Sequence, residues 1–380
     1  MKIVITGGHL TPALALIEEL TSHPELATGH EQSRMVSGSA DIHFFGRKYA
    51  TEGSSNLSAE YKVINSGNIK FYSITAGRIQ RKFTIHTITA LLKLPLGFIQ
   101  SLIYIAKVKP DLIVTFGGYL STPAVFCGWL LGIDSVIHEQ AQIPGLANRI
   151  NSLFAKQIFI SWPNSQKYFP GDKTQLIGNL MRRSITNTKA KDPKIKSFIS
   201  KSKNLIYVTG GNQGSHEINQ LVLNNLEKFK NFEIIHQVGT TNFEGDFDQA
   251  KKVKQSNYFP VEYIDTRDIG AVLNKSKLVI SRSGANIVWE LAALAKPSIL
   301  IPLPIAASGE QQANAQILKD AGSAIVINQK DLTIQELMES IRRITDNYNK
   351  YQKSTQLLQK TLPQNAAAVM AKYIRENFDQ

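Results

Sequence analysis

The sequence is nearly without cysteine, since Cys127 is the one thiol in 380 residues. A disulfide framework within the chain is therefore excluded, and a reducing cytosol suits this composition. Cys127 stands among apolar neighbours, which predicts a core residue and not a nucleophile. The sequence also has neither the CxxC and HExxH patterns of zinc sites nor a GxGxxG dinucleotide fingerprint. Zinc and a nicotinamide cofactor are left without support, and we predict that the protein uses no metal and no cofactor.

Acidic residues are missing from one long stretch, since no aspartate or glutamate occurs between Tyr61 and Pro110. The whole chain carries a net charge of +13 and a pI of about 9.5, which favours an anionic partner. Apolar residues alternate with the basic ones here, a combination that suits an anionic bilayer surface. We predict peripheral membrane contact through Ile79–Leu96. A solvated basic face over core helices is the alternative, and nucleic acid is disfavoured because no binding motif is present. The basic residues are Lys62, Lys70, Arg78, Arg81, Lys82, Lys93, Lys107 and Lys109.

Charge is also absent from Leu112 to Ile133, a run of 22 residues that is long enough to cross a bilayer. Gly117-Gly118 and Pro123 divide this run, which favours a strand, a glycine turn and a helix over a transmembrane helix. Met1–Ile5 is likewise predicted to be a buried strand and not part of a signal peptide.

Three segments of the first half stand where a predicted strand ends. They are Gly7-Gly8-His9, Gly117-Gly118-Tyr119 and His138-Glu139-Gln140. The strands of an open α/β sheet deliver such segments to one edge, where ligands bind. His9 is a candidate base because imidazole titrates near neutral pH, and a capping or structural histidine is the alternative.

The second half repeats this pattern, and a length of 380 residues predicts two domains. Leu205–Ser215 gives a strand and a glycine turn. Ser281–Asn314 gives a strand end, the turn Ser283-Gly284-Ala285 and a helix that carries Glu290. The N–H groups of glycine turns and helix starts suit a diphosphate, and the Glu290 carboxylate suits a sugar hydroxyl. A plain βαβ unit with ordinary caps is the alternative. The lysine-rich residues 184–204 are predicted to link the halves.

Taken together, these motifs resemble glycosyltransferase family 28 over nearly the whole chain. The resemblance implies an α/β GT-B fold, in which two Rossmann-like parallel-sheet domains face each other across a cleft. It implies an acceptor domain at residues 1–183 with a C-terminal helix at about 363–380, a linker at 184–204 and a UDP-GlcNAc-binding domain at 205–362. The further segments that carry the resemblance are Pro12, Gly145-Leu146, Asn148, Gly178-Asn179, Arg182, Gly210-Gly211, Gln213-Gly214, Ser281-Arg282, Gln311-Gln312 and Asn314-Ala315.

The activity that the resemblance implies is transfer of N-acetylglucosamine from UDP-GlcNAc to lipid I, the undecaprenyl-pyrophosphoryl muramyl pentapeptide. The C4 hydroxyl of the acceptor would attack the anomeric carbon from the face opposite UDP, with inversion, to form lipid II for peptidoglycan. The implied location is the cytoplasmic face of the cell membrane, with roles in cell shape and division. The residues implied for the donor are Arg182, Asn212, Gln213, Ile264, Ser283, Gly284, Ala285, Glu290, Gln311 and Gln312. Those implied for catalysis are His9 and Glu139, and those for the acceptor side are Gly7, Gly8, Gly118, Tyr119, Gln140 and Asn148.

The sequence departs from the family pattern mainly in its first half. The first glycine loop is about three residues short, Ala141 replaces an asparagine, Leu180-Met181 replaces Pro-Val and Asn212 replaces a serine. These departures bear on the acceptor more than on the donor. Two alternatives stay open, namely a related UDP-sugar transferase that acts on another lipid such as diacylglycerol, and a non-catalytic nucleotide-sugar binder.

Overall fold

A computed structural model describes residues 1–21, 40–49, 57–67, 69–75, 85–304 and 309–379, except for the side chains of residues 59 and 85–93. The chain divides into two compact units. One consists of Met1–Arg182 with Pro363–Gln380, and the other of Arg183–Leu362.

The first unit is built on a parallel sheet of seven strands in the order β3-β2-β1-β4-β5-β6-β7. Its elements along the chain are β1 (Lys2–Thr6), α1 (Leu10–Thr21), β2 (Asp41–Gly46), α2 (Ala59–Ser66), β3 (Lys70–Ser73), α3 (Ile85–Val108), β4 (Leu112–Thr115), α4 (Ser121–Leu130), β5 (Ser135–Glu139), α5 (Leu146–Asn151), β6 (Gln157–Ile160) and β7 (Thr174–Leu176).

The second unit has a parallel sheet of six strands in the order β10-β9-β8-β11-β12-β13. Its elements are α6 (Pro193–Lys201), β8 (Leu205–Thr209), α7 (His216–Leu223), β9 (Glu233–Gln237), α8 (Asp246–Lys252), β10 (Tyr258–Val261), α9 (Thr266–Lys275), β11 (Leu278–Ser281), α10 (Ala285–Ala293), β12 (Ser298–Leu300), α11 (Glu310–Asp320), β13 (Ala324–Val326), α12 (Ile334–Asp346) and α13 (Tyr348–Thr361). The last helix, α14 (Ala366–Phe378), packs on α1 of the first unit.

Both sheets bury their central strands on both faces, as apolar β-branched runs predict. Ile3, Val4 and Ile5 of β1 are fully buried, as are Val279 and Ile280 of β11. The two-domain parallel α/β class predicted from the sequence is therefore confirmed.

The strand orders define where ligands bind in each unit. In the first sheet, β2 and β3 lie on one side of β1 and the later strands lie on the other side. In the second sheet, β9 and β10 lie on one side of β8 and the later strands on the other. The strand order therefore reverses between β1 and β4 and between β8 and β11. Loops that leave the carboxyl ends of two such strands diverge and open a crevice. These are the loops that begin at Gly7, Gly117, Gly210 and Arg282, which the sequence had singled out.

Residues 184–204, which the sequence predicts to be a linker, lie within the second unit. Asp192 caps α6 by accepting from the N–H groups of Lys194 and Ile195 at 2.7 and 3.0 Å. The carboxylate of Asp268 accepts from the N–H of Asp192 at 3.0 Å and holds this segment against α9. A hinge in this segment therefore stays a prediction.

Candidate active site

In the second unit, the glycine turn Gly210–Ser215 is held closed by the strand ends around it. Thr209 Oγ1 accepts from the Gly211 N–H at 3.0 Å. The Asn212 carbonyl accepts from the Thr240 N–H at 2.9 Å. The side chains of Asn212 and Gln213 are exposed. Both residues, which are predicted to bind the sugar-nucleotide donor, are therefore accessible to a ligand.

Gly214 and Gly211 both have a φ near +90°, but their surroundings differ. A Cβ on Gly214 would lie 2.0 Å from the Val238 carbonyl oxygen, whereas a Cβ on Gly211 would meet nothing within 4 Å. Gly214 is therefore required for close packing as well as for its backbone conformation.

We expect Gly211→Ala to lower the free energy of unfolding by about 1–2 kcal/mol, the usual cost of a left-handed non-glycine residue. Gly214→Ala should cause a larger loss and abolish nucleotide binding, because the turn must move away from Val238. Urea unfolding and a UDP titration measure both effects. Equal losses of stability and of UDP binding in the two variants would show that the close approach of Gly214 to Val238 is not important.

The start of α10 forms the second part of this candidate anion site. Gly284 is the N-cap, and as a glycine it has no side chain of its own to cap the first N–H groups of the helix. The Ser283 hydroxyl donates to the Gln311 carbonyl at 2.8 Å, and Gln311 Oε1 accepts from the Leu303 N–H at 3.0 Å. Ser283, Gly284 and Ala285 thus form one turn with Gln311, while Gln312 is exposed beside it.

Arg282 connects the two parts of the site. Its Nη2 donates to Ser215 Oγ at 2.7 Å and to Glu217 Oε2 at 3.1 Å, and its Nη1 donates to the Ile301 carbonyl at 3.2 Å. The buried guanidinium therefore fixes the end of the glycine turn relative to β11 and β12. Arg282 is part of the Ser281-Arg282 segment that carries the family resemblance, but no role was predicted for it.

Glu290 and Ile264 lie further along the same edge. Glu290 is 8% exposed on α10, and its carboxylate adds to burial in raising the pKa of Tyr207. Ile264 is one of the residues that the resemblance implies for the sugar-nucleotide donor. Its N–H donates to Gln237 Oε1 at 3.0 Å.

A DxD tripeptide at Asp246–Asp248 was missed in the sequence. Asp246 is fully buried, and its carboxylate accepts from Asn219 Nδ2 at 2.7 Å and from Gln220 Nε2 at 2.8 Å. Asp248 accepts from Asn242 at 2.8 Å. The Asp246 carboxylate therefore joins α8 to α7, whereas Asp248 bonds to residues near it in the chain. Within the ranges that the structure describes, no three acidic, histidine or cysteine side chains are grouped to hold a metal ion.

In the first unit, the two glycine turns touch each other. Gly8 has a φ of +135°, and a Cβ there would lie 2.4 Å from the Gly117 carbonyl oxygen. Gly118 has a φ of +83°, and a Cβ there would lie 3.0 Å from the Gly8 Cα. Tyr119 follows and is partly exposed, with the Arg47 guanidinium 5.9 Å from its ring centre. Adjacent strands therefore bring Gly7, Gly8, Gly118 and Tyr119 together, as predicted for a shared edge.

Glu60 of α2 is a component that the sequence analysis missed. Its Oε1 accepts from the Gly8 N–H at 2.9 Å. A Cβ on Gly7 would lie 2.7 Å from Glu60 Oε2. The first glycine turn is thus occupied by a carboxylate of the protein, in contrast to the turn at Gly210.

His9 follows this turn and lies near His138. His138 Nε2 lies 2.9 Å from the Gly178 carbonyl, and Gln140 Nε2 lies 3.2 Å from His138 Nδ1. Burial lowers the pKa of His138 to about 4, with His9 adding a smaller effect. Burial also lowers the pKa of His9 below 6.5. Both imidazoles are therefore neutral at pH 7, and a neutral imidazole can accept a proton.

Glu139 is 4% exposed, and both of its carboxylate oxygens accept hydrogen bonds. Oε1 accepts from the Ala141 N–H and Oε2 from Asn148 Nδ2, each at 2.9 Å. This arrangement suits a residue that positions the loop after β5. Asn148 Oδ1 and Gln140 Oε1 are buried and have no hydrogen-bond partner among the described residues. They are acceptors that a ligand hydroxyl or amide could satisfy.

Arg182 ends the continuous part of the first unit. It is buried, and its Nε has no hydrogen-bond partner in the described part of the chain. A buried guanidinium nitrogen without a partner suits an anionic ligand.

Comparison with known proteins finds the same family in both halves of the chain. Residues 54–160 match the glycosyltransferase family 28 N-terminal domain, and residues 205–369 match the family's C-terminal domain. A relative from Clostridium kluyveri is 31% identical over 92% of this chain and 93% of its own, and one from Clostridium botulinum strain Langeland is 32% identical over 92% of each. Both are named UDP-N-acetylglucosamine–N-acetylmuramyl-(pentapeptide) pyrophosphoryl-undecaprenol N-acetylglucosamine transferase.

A solved structure is also similar over its full length. The crystal structure of Acinetobacter baumannii MurG has a TM-score of 0.68 at 23% identity, and 99% of each chain is covered. This likeness confirms the predicted GT-B fold class. The chain belongs to glycosyltransferase family 28, the family that its sequence motifs resembled.

Proposed function

We propose that this protein transfers N-acetylglucosamine from UDP-GlcNAc to a lipid-linked muramyl pentapeptide. The observation that carries this proposal is the identity of 31–32% over 92% of the chain to transferases that bear this name. The second unit supports the donor, because the glycine turn at Gly210 and the start of α10 present N–H groups beside Glu290. The first unit supports the acceptor, because it holds a neutral histidine and two unpartnered amide oxygens.

The chemistry we propose is a single inverting displacement. The C4 hydroxyl of the muramyl sugar forms a bond to the anomeric carbon while the bond from that carbon to the UDP oxygen breaks. His9 receives the hydroxyl proton, for which its lowered pKa keeps it neutral at pH 7. The N–H groups of the donor turns stabilise the negative charge that develops on UDP. Glu139, which the resemblance implies for catalysis, holds the loop that carries Asn148.

An acceptor panel tests this proposal against the alternatives. The purified protein is given labelled UDP-GlcNAc with lipid I, with diacylglycerol or with no acceptor. We expect labelled product with lipid I alone. Transfer to diacylglycerol would instead support a different glycolipid transferase, and UDP-GlcNAc binding without turnover would support a non-catalytic binder.

We further propose that the protein acts at the cytoplasmic face of the cell membrane, held there by its first unit. Most of the predicted contact segment Ile79–Leu96 lies outside the residues whose side chains are described. Next to it, α3 and α4 pack together and expose an apolar patch on their outer surfaces. We define this patch as Ile99, Leu102, Ile103, Trp129, Leu130 and Leu131, each at least 42% exposed.

Two features support a bilayer as the partner of the apolar patch. Large exposed apolar patches mark interaction sites, and the sequence around α3 has basic residues without acidic ones. None of the described helices has the length and apolar content needed to span a membrane. A surface contact is therefore the mode of membrane binding that we propose.

We expect Ile103→Ser with Leu130→Ser to reduce co-sedimentation with anionic vesicles by ~10-fold or more, since each buried apolar side chain contributes ~1.5–3 kcal/mol. Leu357→Ser is a matched control, because Leu357 is 56% exposed on α13 of the other unit and the two patch residues are 58% and 57% exposed. Equal vesicle binding by the wild-type protein, the double variant and Leu357→Ser would contradict the role of the apolar patch.

A further inference from the structure

Arg47 and Lys48 follow β2 at the edge of the first sheet where the two glycine turns meet. The Arg47 N–H donates to Glu60 Oε2 at 3.4 Å, and Glu60 Oε1 accepts from the Gly8 N–H at 2.9 Å. The Lys48 carbonyl accepts from the N–H of Ser58, the N-cap of α2, at 2.9 Å. The backbone of both basic residues is therefore held beside the first glycine turn.

Aromatic rings hold the charged groups of these two residues. The Arg47 guanidinium lies 5.9 Å from the ring centre of Tyr119, the residue after the second glycine turn. The Lys48 ammonium lies 5.6 Å from the ring centre of Tyr61 and 5.7 Å from that of Tyr49. Neither side chain forms an ion pair with a carboxylate among the residues that the structure describes. A ring face orients a cation without neutralising it, so both charges remain available to an anion.

The first glycine turn itself is closed to an anionic ligand. Its Gly8 N–H is already paired with the Glu60 carboxylate, and a second negative group in the turn would be repelled by that carboxylate. A Cβ on Gly7 would lie 2.7 Å from Glu60 Oε2, so little space is left in the turn. A negatively charged part of a ligand at this edge is therefore bound by side chains, and Arg47 and Lys48 are basic side chains placed there.

We propose that Arg47 and Lys48 bind the pyrophosphate of the lipid-linked acceptor. The inference rests on the proposed function, which supplies an acceptor with a pyrophosphate diester on C1 of its muramyl sugar. That group carries two negative charges at neutral pH, which the two basic side chains match. A guanidinium binds two phosphate oxygens at once, and an ammonium adds a point charge.

The position of the pair also suits the geometry of the acceptor. C1 and C4 stand at opposite ends of the sugar ring. His9, the proposed base, follows Gly8 directly, and the basic pair adjoins the same turn through Glu60. One sugar can therefore place its C4 hydroxyl at His9 and its C1 substituent at Arg47 and Lys48.

The test measures KM for lipid I in nonionic detergent micelles, which offer no anionic headgroups. Arg47→Gln with Lys48→Gln should raise KM by ~10-fold or more, since a hydrogen bond to a charged group contributes roughly ten-fold or more in affinity. kcat at saturating lipid I and the dissociation constant of UDP should stay unchanged. Because salt screens exposed charges, KM of the wild-type protein should rise with ionic strength and KM of the double variant much less.

An acceptor analogue with one phosphate in place of two separates contact with this group from loosening of the turn. The double substitution should raise KM less for the analogue than for lipid I. The matched control is Lys156→Gln with Lys173→Gln, which removes two charges from the opposite edge of the same sheet, before β6 and β7. This control variant should keep the KM of the wild-type protein.

Three results would overturn the inference while transfer to lipid I stands. They are an unchanged KM in the Arg47 and Lys48 double variant, an equal rise in the control variant, and an equal rise for lipid I and its analogue. A rise in KM with anionic vesicles but not with micelles would assign the pair to lipid headgroups and would also overturn it. Absence of any transfer by the wild-type protein would overturn the proposed function, and this inference with it.

Discussion

Replacing His9 with asparagine should lower the turnover number by ~10²–10⁴-fold, the usual contribution of a positioned general base. UDP affinity should stay unchanged, because the donor turns lie in the second unit and His9 in the first. His43→Asn is the control, since it removes an imidazole from β2 of the same sheet without touching the glycine turns. Steady-state kinetics with a UDP titration on the same samples separate turnover from donor binding.

The pH dependence gives a second measure of the role of His9. Burial lowers its pKa below 6.5, so the neutral base predominates at pH 7 and is lost only as the pH falls through the lowered value. kcat/KM should therefore hold above pH 7 and fall as the pH drops through the lowered pKa of His9. His138, with a pKa of about 4, contributes only near that pH. If His9→Asn retains full turnover and the same fall of kcat/KM at acidic pH, this result would contradict the role of His9 as general base.

The second large effect is expected at Glu290. Glu290→Gln should weaken UDP binding by ~10–100-fold, because a charged hydrogen-bond partner contributes ~1.5–3 kcal/mol. A double-mutant cycle with 2′-deoxy-UDP makes the test specific to the ribose. If the carboxylate holds the 2′-hydroxyl, the loss caused by Glu290→Gln should be smaller for the deoxynucleotide than for UDP.

The control for Glu290 is Glu339→Gln, which removes an exposed carboxylate from α12 of the same unit. It should leave both affinities unchanged. If Glu290→Gln weakens the binding of UDP and of 2′-deoxy-UDP by the same factor, the carboxylate does not contact the ribose at that position. Calorimetric titration of the wild-type protein and of Glu290→Gln, each with UDP and with 2′-deoxy-UDP, gives the four dissociation constants that the cycle needs.

The sequence predicted the fold class because its central strands are continuous buried runs that end in glycine turns. The strand and glycine turn predicted at Leu205–Ser215 are present, with β8 at Leu205–Thr209. Strands β3 and β13 were not predicted. They are four and three residues long and lie at sheet edges, where one-sided burial leaves a weak apolar pattern.

The site was predictable where function depends on local chain geometry. Glycine turns, helix starts and polar residues directly after strands can be identified from neighbouring residues alone. Glu60 and Gln237 were missed because their partners are 52 and 27 residues away. Gln237 did leave a signal, namely a polar residue at the last position of an apolar strand.

Hydrogen bonding indicates a role for Glu139 that residue type and burial alone do not. Glu139 and Glu290 are both buried carboxylates, at 4% and 8% exposure. Both oxygens of Glu139 accept hydrogen bonds from its own loop, which no local pattern indicates. The tripeptide at Asp246–Asp248 shows the same limit, since its acids fit a metal motif in sequence, whereas in the structure Asp246 is buried and bonds to α7.

The most direct measurement of the central claim is the structure of the product formed from UDP-GlcNAc and lipid I. After incubation with the protein, mass spectrometry and proton NMR of the purified lipid should show one added N-acetylglucosamine, joined to the muramyl C4 oxygen in the β configuration. An α linkage, attachment at another oxygen, or recovery of unchanged lipid I alongside bound UDP-GlcNAc would contradict the account.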